Sequence, residues 1–151
     1  MNYIFQLYID DMINKKAKFY YYLLEEYIAG IKLFGAEVKS IRKNKVNITD
    51  SFCKIINHEL YSINIYIEKY QTSNQNTYQY ENNRKRKLLL TKHELNRIQK
   101  KLKNSELTII PFKLFFSKTG YAKLKIFIAK GKKIYDKREI IKKRDWLRKK
   151  I

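Results

Sequence analysis

Residues 121–129 read YAKLKIFIA. Ala122, Leu124, Ile126 and Ile128 alternate with Lys123, Lys125 and Phe127. A period of two places alternate side chains on opposite faces of a strand. One face is therefore expected in a core, and the other carries Lys123 and Lys125. Gly131 then releases the C-terminal segment from the strand. Upstream, Leu107–Phe116 reads as another strand, in which Pro111 implies a sheet edge or a bulge. Ser117–Gly120 is the turn between the two.

The same reading extends toward the N-terminus. Thr91, Lys92, His93 and Glu94 form a capping box, and Leu95, Ile98 and Leu102 mark one face of a helix to about Asn104. Leu88–Leu90 is a short apolar strand. Before it come the polar segment Gln71–Asn83, read as a loop, and the basic run Arg84, Lys85, Arg86 and Lys87. Asp50–Asn57 and Leu60–Ile67 form a hairpin around His58 and Glu59. Phe19–Leu33 is rich in aromatic and aliphatic residues and favours a strand, with a bulge or bend at Ala29-Gly30. Gly35 stops it. Val38 and Ile41 then give the spacing of a short helix ending near Asn44. About six short strands and two helices, without one-for-one alternation, argue for a mainly β chain with some α, built as a small antiparallel barrel.

The chain has 151 residues, 34 Lys and Arg against 14 Asp and Glu, and a formal net charge of +20. Its isoelectric point is near 9.9. Such a balance points first to nucleic acid and second to an anionic membrane. Cys53 stands alone, which excludes an intramolecular disulfide and a cysteine-rich zinc site and suits a reducing compartment. No apolar run is long enough for a transmembrane helix. The start lacks the positive n-region of a secretory signal. Residues 1–13 are read as a leader, either frayed or a short docking helix, and residues 14–129 as the barrel domain. Residues 130–151 form a basic tail. The Asn, Lys, Ile and Tyr bias resembles that of an AT-rich genome, bacterial or plastid.

The tail carries eleven basic against three acidic residues. Lys130, Lys132, Lys133, Lys137 and Arg138 can neutralise phosphates, and Tyr135 and Trp146 can stack on bases. Asp136 fixes a local turn or cap, and Gly131 is the hinge. Ile134, Ile140, Ile141 and Leu147 are too sparse for a strong apolar stripe, so the isolated tail is expected to be disordered and to order on binding.

Four phrases, in order, carry a resemblance. They are NKKAKFYYYLLEEYIAGI from Asn14, GAEVKSIRKNKVNITDSF from Gly35 to Phe52, RKLLLTKHEL from Arg86 to Leu95, and AKGKKIYDKR followed by IKKRDW. Together they cover nearly the whole chain, and they resemble the SmpB family of SsrA-binding proteins. The resemblance implies an OB-like barrel with two or three flanking helices. It also implies that the barrel holds the tRNA-like part of transfer-messenger RNA, while the tail becomes helical in the vacant messenger channel of a stalled ribosome, at the small-subunit decoding region. A monomer bound to RNA, in a bacterial cytoplasm or a plastid stroma, is the expected form. The chain departs from the family's pattern at Ile28, where an acidic residue tied to RNA binding is common, at Phe19 in place of His and at Asn44 in place of Gly. Its tail ends soon after Trp146, where the family's usually runs on.

OB barrels bind oligonucleotides on a strand face and its loops. The candidate RNA contacts are Asn14, Lys15, Lys16 and Lys18 as one basic lip, Lys123 and Lys125 extending it, and Arg84, Lys85, Arg86 and Lys87 as a second patch. The ribosome-directed set is Lys130, Gly131, Lys132, Lys133, Tyr135, Asp136, Lys137, Arg138 and Trp146. No catalytic, metal or cofactor-binding residues and no small-molecule substrate are expected. His58 and His93 read as surface residues, and Glu25 and Glu26 point to opposite faces of a strand. The alternatives are another OB-type translation or ribosomal protein, a nuclease, and a peripheral membrane protein with a polybasic tail. The nuclease lacks an acid–base or metal-spaced cluster, and the membrane protein lacks an apolar face.

Overall fold

A computed structural model describes residues 12–70 and 81–149. The leader through residue 11 and the loop residues 71–80 lie outside the described residues. The elements run α1 (Ala17–Tyr20), β1 (Tyr21–Ile31), α2 (Gly35–Arg42), β2 (Val46–Asn47), β3 (Phe52–Ile56), β4 (Glu59–Ile63), β5 (Tyr66–Ile67), β6 (Arg86–Leu89), α3 (Lys92–Lys101), β7 (Leu107–Phe116), β8 (Ala122–Gly131) and α4 (Ile134–Lys149). The chain is mainly β-sheet with a few helices. Six strands hydrogen-bond in the order β1-β6-β4-β3-β7-β8, and β8 pairs back onto β1; β2 and β5 make a separate pair. Among the described residues every strand pairing is antiparallel.

The alternation in residues 121–129 sets the core. Leu124, Ile126 and Ile128 are closed to solvent and pack with Ala29, Leu60, Ile65, Ile67, Ile98, Ile109 and Leu114. Cys53 sits in the same cluster, and burial pushes its thiol pKa up, so it stays protonated. α3 covers the core through Ile98. Its start is fixed as the sequence predicts: Thr91 Oγ1 accepts from Glu94 N (3.2 Å), and the Glu94 carboxylate accepts from Thr91 N (3.3 Å). Pro111 also behaves as expected, since the β7–β8 register shifts between Pro111 and Lys113.

Several local expectations are corrected. Phe19 and Tyr20 belong to the one-turn α1, not to the strand. The β1 irregularity lies between Leu23 and Glu25, not at Ala29-Gly30. Gly30 is in regular pairing with both Leu89 and Lys123, and a Cβ there would lie 3.2 Å from Leu89 Cβ. The glycine serves the close approach of β6. The hairpin turns on Asn57-His58, not His58-Glu59, because Ile56 pairs with Glu59. Both turn residues have positive φ (51° and 65°), the left-handed pair that matches strand twist in a two-residue hairpin. Asn64 (φ 65°) ends β4 at Ile63, so of the alternating isoleucines Ile63 lies in β4, Ile67 in β5 and Ile65 between them. Asn44, at φ 60°, takes a conformation that favours glycine and that Asn tolerates well among other residues.

Residues 134–149 are helical, where the sequence pattern argued for a segment without fixed structure on its own. The helix has local anchors. Lys132 N donates to Tyr20 O (2.8 Å), and Lys137 and Arg144 place their charges 4.9 and 5.5 Å from the rings of Tyr20 and Phe19.

Candidate nucleic-acid interface

The outward side of β7, β8 and β1 is built by the same alternation that fills the core. Lys123 stands opposite Phe115 on one side and Gly30 on the other; Lys125 stands opposite Lys113 and Ile28; Phe127 stands opposite Glu26. The Pro111 bulge brings Phe112 edge-on to Phe127, with ring centres 5.4 Å apart. Three lysines and three phenylalanines therefore interleave across two strands. Ile28 and Leu89 border them, 43% and 52% exposed. Directly opposed like charges destabilise a strand pair. Lys113 and Lys125 are such a pair; among the described residues Lys125 is relieved by Glu26 at 3.4 Å and no carboxylate pairs with Lys113. A bound polyanion would relieve both. Stacking surfaces among cations are what single strands and exposed bases require.

Lys113, Phe112 and Phe115 escaped the sequence reading, which placed Phe127 on the lysine-bearing side without counting it as a contact. PFKLFF holds the signal, since Lys113 and Phe115 are two apart. The bulge, however, decides that Phe112 also joins the outer side. Glu26 gives this surface its carboxylate, two positions before Ile28 on the same side of β1.

The N-terminal lip lies beside β7. Ile13 bridges Lys113, Leu114 N donates to Met12 O (2.9 Å), and Asn14 N donates to Phe112 O (2.8 Å). Asn14 itself is only 3% exposed; its Nδ2 donates to Pro111 O at 3.1 Å, while its buried Oδ1 has no hydrogen-bond partner among the described residues. As placed it is an anchor of the lip, not an outward contact. Lys15, Lys16 and Lys18 are exposed. Lys16 lies 3.7 Å from Asp50, and Lys18 sits over the Phe112 ring.

A cleft of about 590 Å³ opens between this lip, β3 and the start of the tail, lined by Asn14, Lys16, Tyr20, Asp50, Phe52 and Lys137. The structure thus brings Lys16 and Lys137 to one depression, 121 positions apart in sequence. Further along the tail, Lys130 pairs with Glu106 (3.3 Å), and Lys132 Nζ donates to Lys18 O (2.8 Å) and lies over Tyr22. The neighbouring Asp136 carboxylate raises the pKa of the Tyr22 phenol. Lys133 and Arg138 are exposed, and so is Trp146, at 57%. The side chain of Tyr135 lies outside the described residues. Gly131 is the last residue of β8, paired with Tyr21.

The run Arg84–Lys87 is corrected as a contact patch. Arg86 is closed to solvent. Its Nε donates to Glu37 Oε2 (2.7 Å), Nη1 to Ile65 O (2.6 Å) and Nη2 to Asn82 O (2.9 Å). Arg84 reaches the same Glu37 carboxylate and stacks on Phe34 at 4.3 Å. Lys87 donates to Glu59 (2.8 Å), a bond that lowers the Glu59 pKa and raises that of Lys87. Of the four, Lys85 alone is exposed. Alternation on β6 turns Arg86 inward, where buried Glu37 of α2 needs a cation. Among the described residues, no group of three or more His, Cys, Asp or Glu is placed to hold a metal ion, and no helix is long and apolar enough to cross a membrane.

Comparison with known proteins adds to this geometry. The family model of the SmpB protein matches residues 12–151. The chain is 52% identical over 132 residues to the SsrA-binding protein of Christiangramia forsetii, spanning 87% of this chain and 83% of that protein. It is 48% identical over 135 residues to the SsrA-binding protein of Flavobacterium johnsoniae, spanning 89% of this chain and 88% of the relative. A solved structure described as "tmRNA-SmpB: a journey to the center of the bacterial ribosome" superposes with a TM-score of 0.68 at 42% identity, covering 85% of this chain and 92% of the other. With a family model over nearly its full length and relatives near half identity, the chain belongs to the SmpB family.

Proposed function

We propose that this chain is a noncatalytic RNA-binding protein that holds the tRNA-like part of transfer-messenger RNA and delivers it to stalled ribosomes for trans-translation. The observation that carries the reading is the outer side of β7 and β8, where Lys113, Lys123 and Lys125 interleave with Phe112, Phe115 and Phe127 on a member of the SmpB family. The closed strand order supports an OB-like barrel, a fold that presents such a face to RNA. Folded RNA is recognised through phosphates, 2′-hydroxyls and exposed bases, and lysines beside rings provide for all three. The relatives are bacterial SsrA-binding proteins, and the similar structure is described with tmRNA and the bacterial ribosome, which supports the same partners and a bacterial cytoplasm for this chain. The basic tail is the part that enters the empty messenger channel. The protein works as a monomer on the RNA, with Lys137, Arg138 and Trp146 meeting the small subunit.

Two variants test the two halves. Replacing Lys15 and Lys123 by Ala should weaken binding to transfer-messenger RNA and lower the slope of log K against log salt by roughly one unit per lost phosphate contact. An unchanged slope removes those lysines from the interface. Replacing Lys137 and Arg138 by Ala should spare RNA affinity and abolish peptide tagging on stalled ribosomes; tagging at the normal rate rejects the tail's role. Sequencing of copurifying RNA separates this reading from another OB-type RNA binder, since only the former enriches a single tRNA-like species.

A further inference from the structure

The outward side of α2 carries charge that the interface above does not use. Lys39, Arg42 and Lys43 are spaced i, i+3, i+4, so they share one helix face, and all three are exposed. The opposite side of the helix buries Ala36, Glu37, Ser40 and Ile41. Lys39 and Lys43 hold their ammonium groups 5.4 and 4.9 Å from the centre of the Tyr70 ring, and Arg42 holds its guanidinium 4.9 Å from that of Phe116. Among the described residues none of the three pairs with a carboxylate. Glu37 of the same helix is held by Arg84 and Arg86, and Glu68 by Lys45. Like charges at these helix spacings repel, so the cluster is stabilised by whatever anion covers it.

Its position names that anion. Phe116, under Arg42, pairs with Ala122, one position before Lys123 and directly after Phe115 of the outer face. Phe116 packs toward the core, on the other side of β7 from Phe115, so the α2 cations stand at the same strand end that Phe115 and Lys123 reach from the outer side. We infer that the Lys39–Arg42–Lys43 face of α2 is a second phosphate-contacting surface, which grips the backbone of the same folded RNA beyond the part held on β7 and β8. The inference rests on the transfer-messenger RNA reading. The contact is to backbone phosphate, so it adds affinity without sequence choice.

The test compares two full-length variants with equal loss of charge: Lys39→Gln/Arg42→Gln/Lys43→Gln, and Lys92→Gln/Lys100→Gln/Lys103→Gln at exposed positions of α3 and just beyond. Binding to transfer-messenger RNA is measured across a salt series. Each lost phosphate contact removes about 0.7–0.9 from the log–log slope. The α2 variant should lose about two units of slope and bind roughly tenfold or more weakly near physiological salt, and the control less than half as much. Lys39→Arg/Lys43→Arg should keep the wild-type slope. Equal losses in the α2 variant and the control overturn the inference. So does an α2 variant that matches the control on transfer-messenger RNA but binds isolated small ribosomal subunits less well, since the surface then faces ribosomal RNA. Wild-type protein that binds transfer-messenger RNA no better than an unrelated folded RNA fails the proposed function itself.

Discussion

Glu37 shows how one residue governs a region far from it in sequence. Its carboxylate is closed to solvent and accepts from Phe34 N (2.9 Å), from Arg84 and from Arg86. It ties the start of α2 to the start of β6. Removing one partner of a buried ion pair leaves an uncompensated charge and typically costs about 3–5 kcal/mol, whereas replacing both with apolar groups of similar volume is often near neutral. Glu37→Gln should therefore lower the urea midpoint by an amount corresponding to several kcal/mol, and Glu37→Leu/Arg86→Met should recover much of the loss. Glu25 makes a different, half-exposed cluster. Lys101 and then Tyr27 donate to it, and these bonds hold its pKa below the usual carboxylate value of 4.5. A depressed folded pKa contributes stability that is present above the unfolded pKa and is lost as pH falls through the folded one. Lys101→Ala should flatten the stability profile below about pH 4.5, and a nuclear magnetic resonance titration should find the Glu25 carboxyl moved upward.

At the level of elements, turn and cap residues decide where strands and helices end. The Asn57-His58 turn asks His58 to take φ 65°, which an imidazole side chain adopts only with strain. His58→Gly should stabilise the β3–β4 hairpin by about 1 kcal/mol, because relief of that strain outweighs the added unfolded-state entropy. Gln99 reaches only the His58 carbonyl (3.3 Å), so this contact survives the substitution. Thermal unfolding checks it, and a lower midpoint would mean that the imidazole makes a stabilising contact of its own. Thr91→Ala should cost about 1 kcal/mol through loss of the α3 cap.

The molecule as a whole carries +20 on 151 residues. Self-repulsion of this size destabilises the compact state and is screened by salt. The screening length falls from about 30 Å at 0.01 M salt to about 8 Å at 0.15 M, so the free protein should melt at a higher temperature in the saltier buffer. Complexes with RNA should show the opposite trend, since salt weakens the binding that stabilises them. Differential scanning calorimetry of the two states would reveal the crossing slopes; parallel slopes would mean that the charge is already neutralised within the fold.

The sequence by itself determined the β-rich class, the capped α3, an irregularity at Pro111, the lysine-bearing side of β8 and the family, because period-two alternation, cap chemistry and ordered phrases are local properties of the chain. Only the tertiary structure decided which cations are available. Arg86 looks like part of a surface run but faces a buried carboxylate 49 positions away, while Lys113 looks incidental and stands opposite Lys125 on the half-buried outer side of the sheet. The physical reason is that a side chain's charge is set by its own chemistry, but its partner is set by register and crossover. Those arise only when distant strands close around one core.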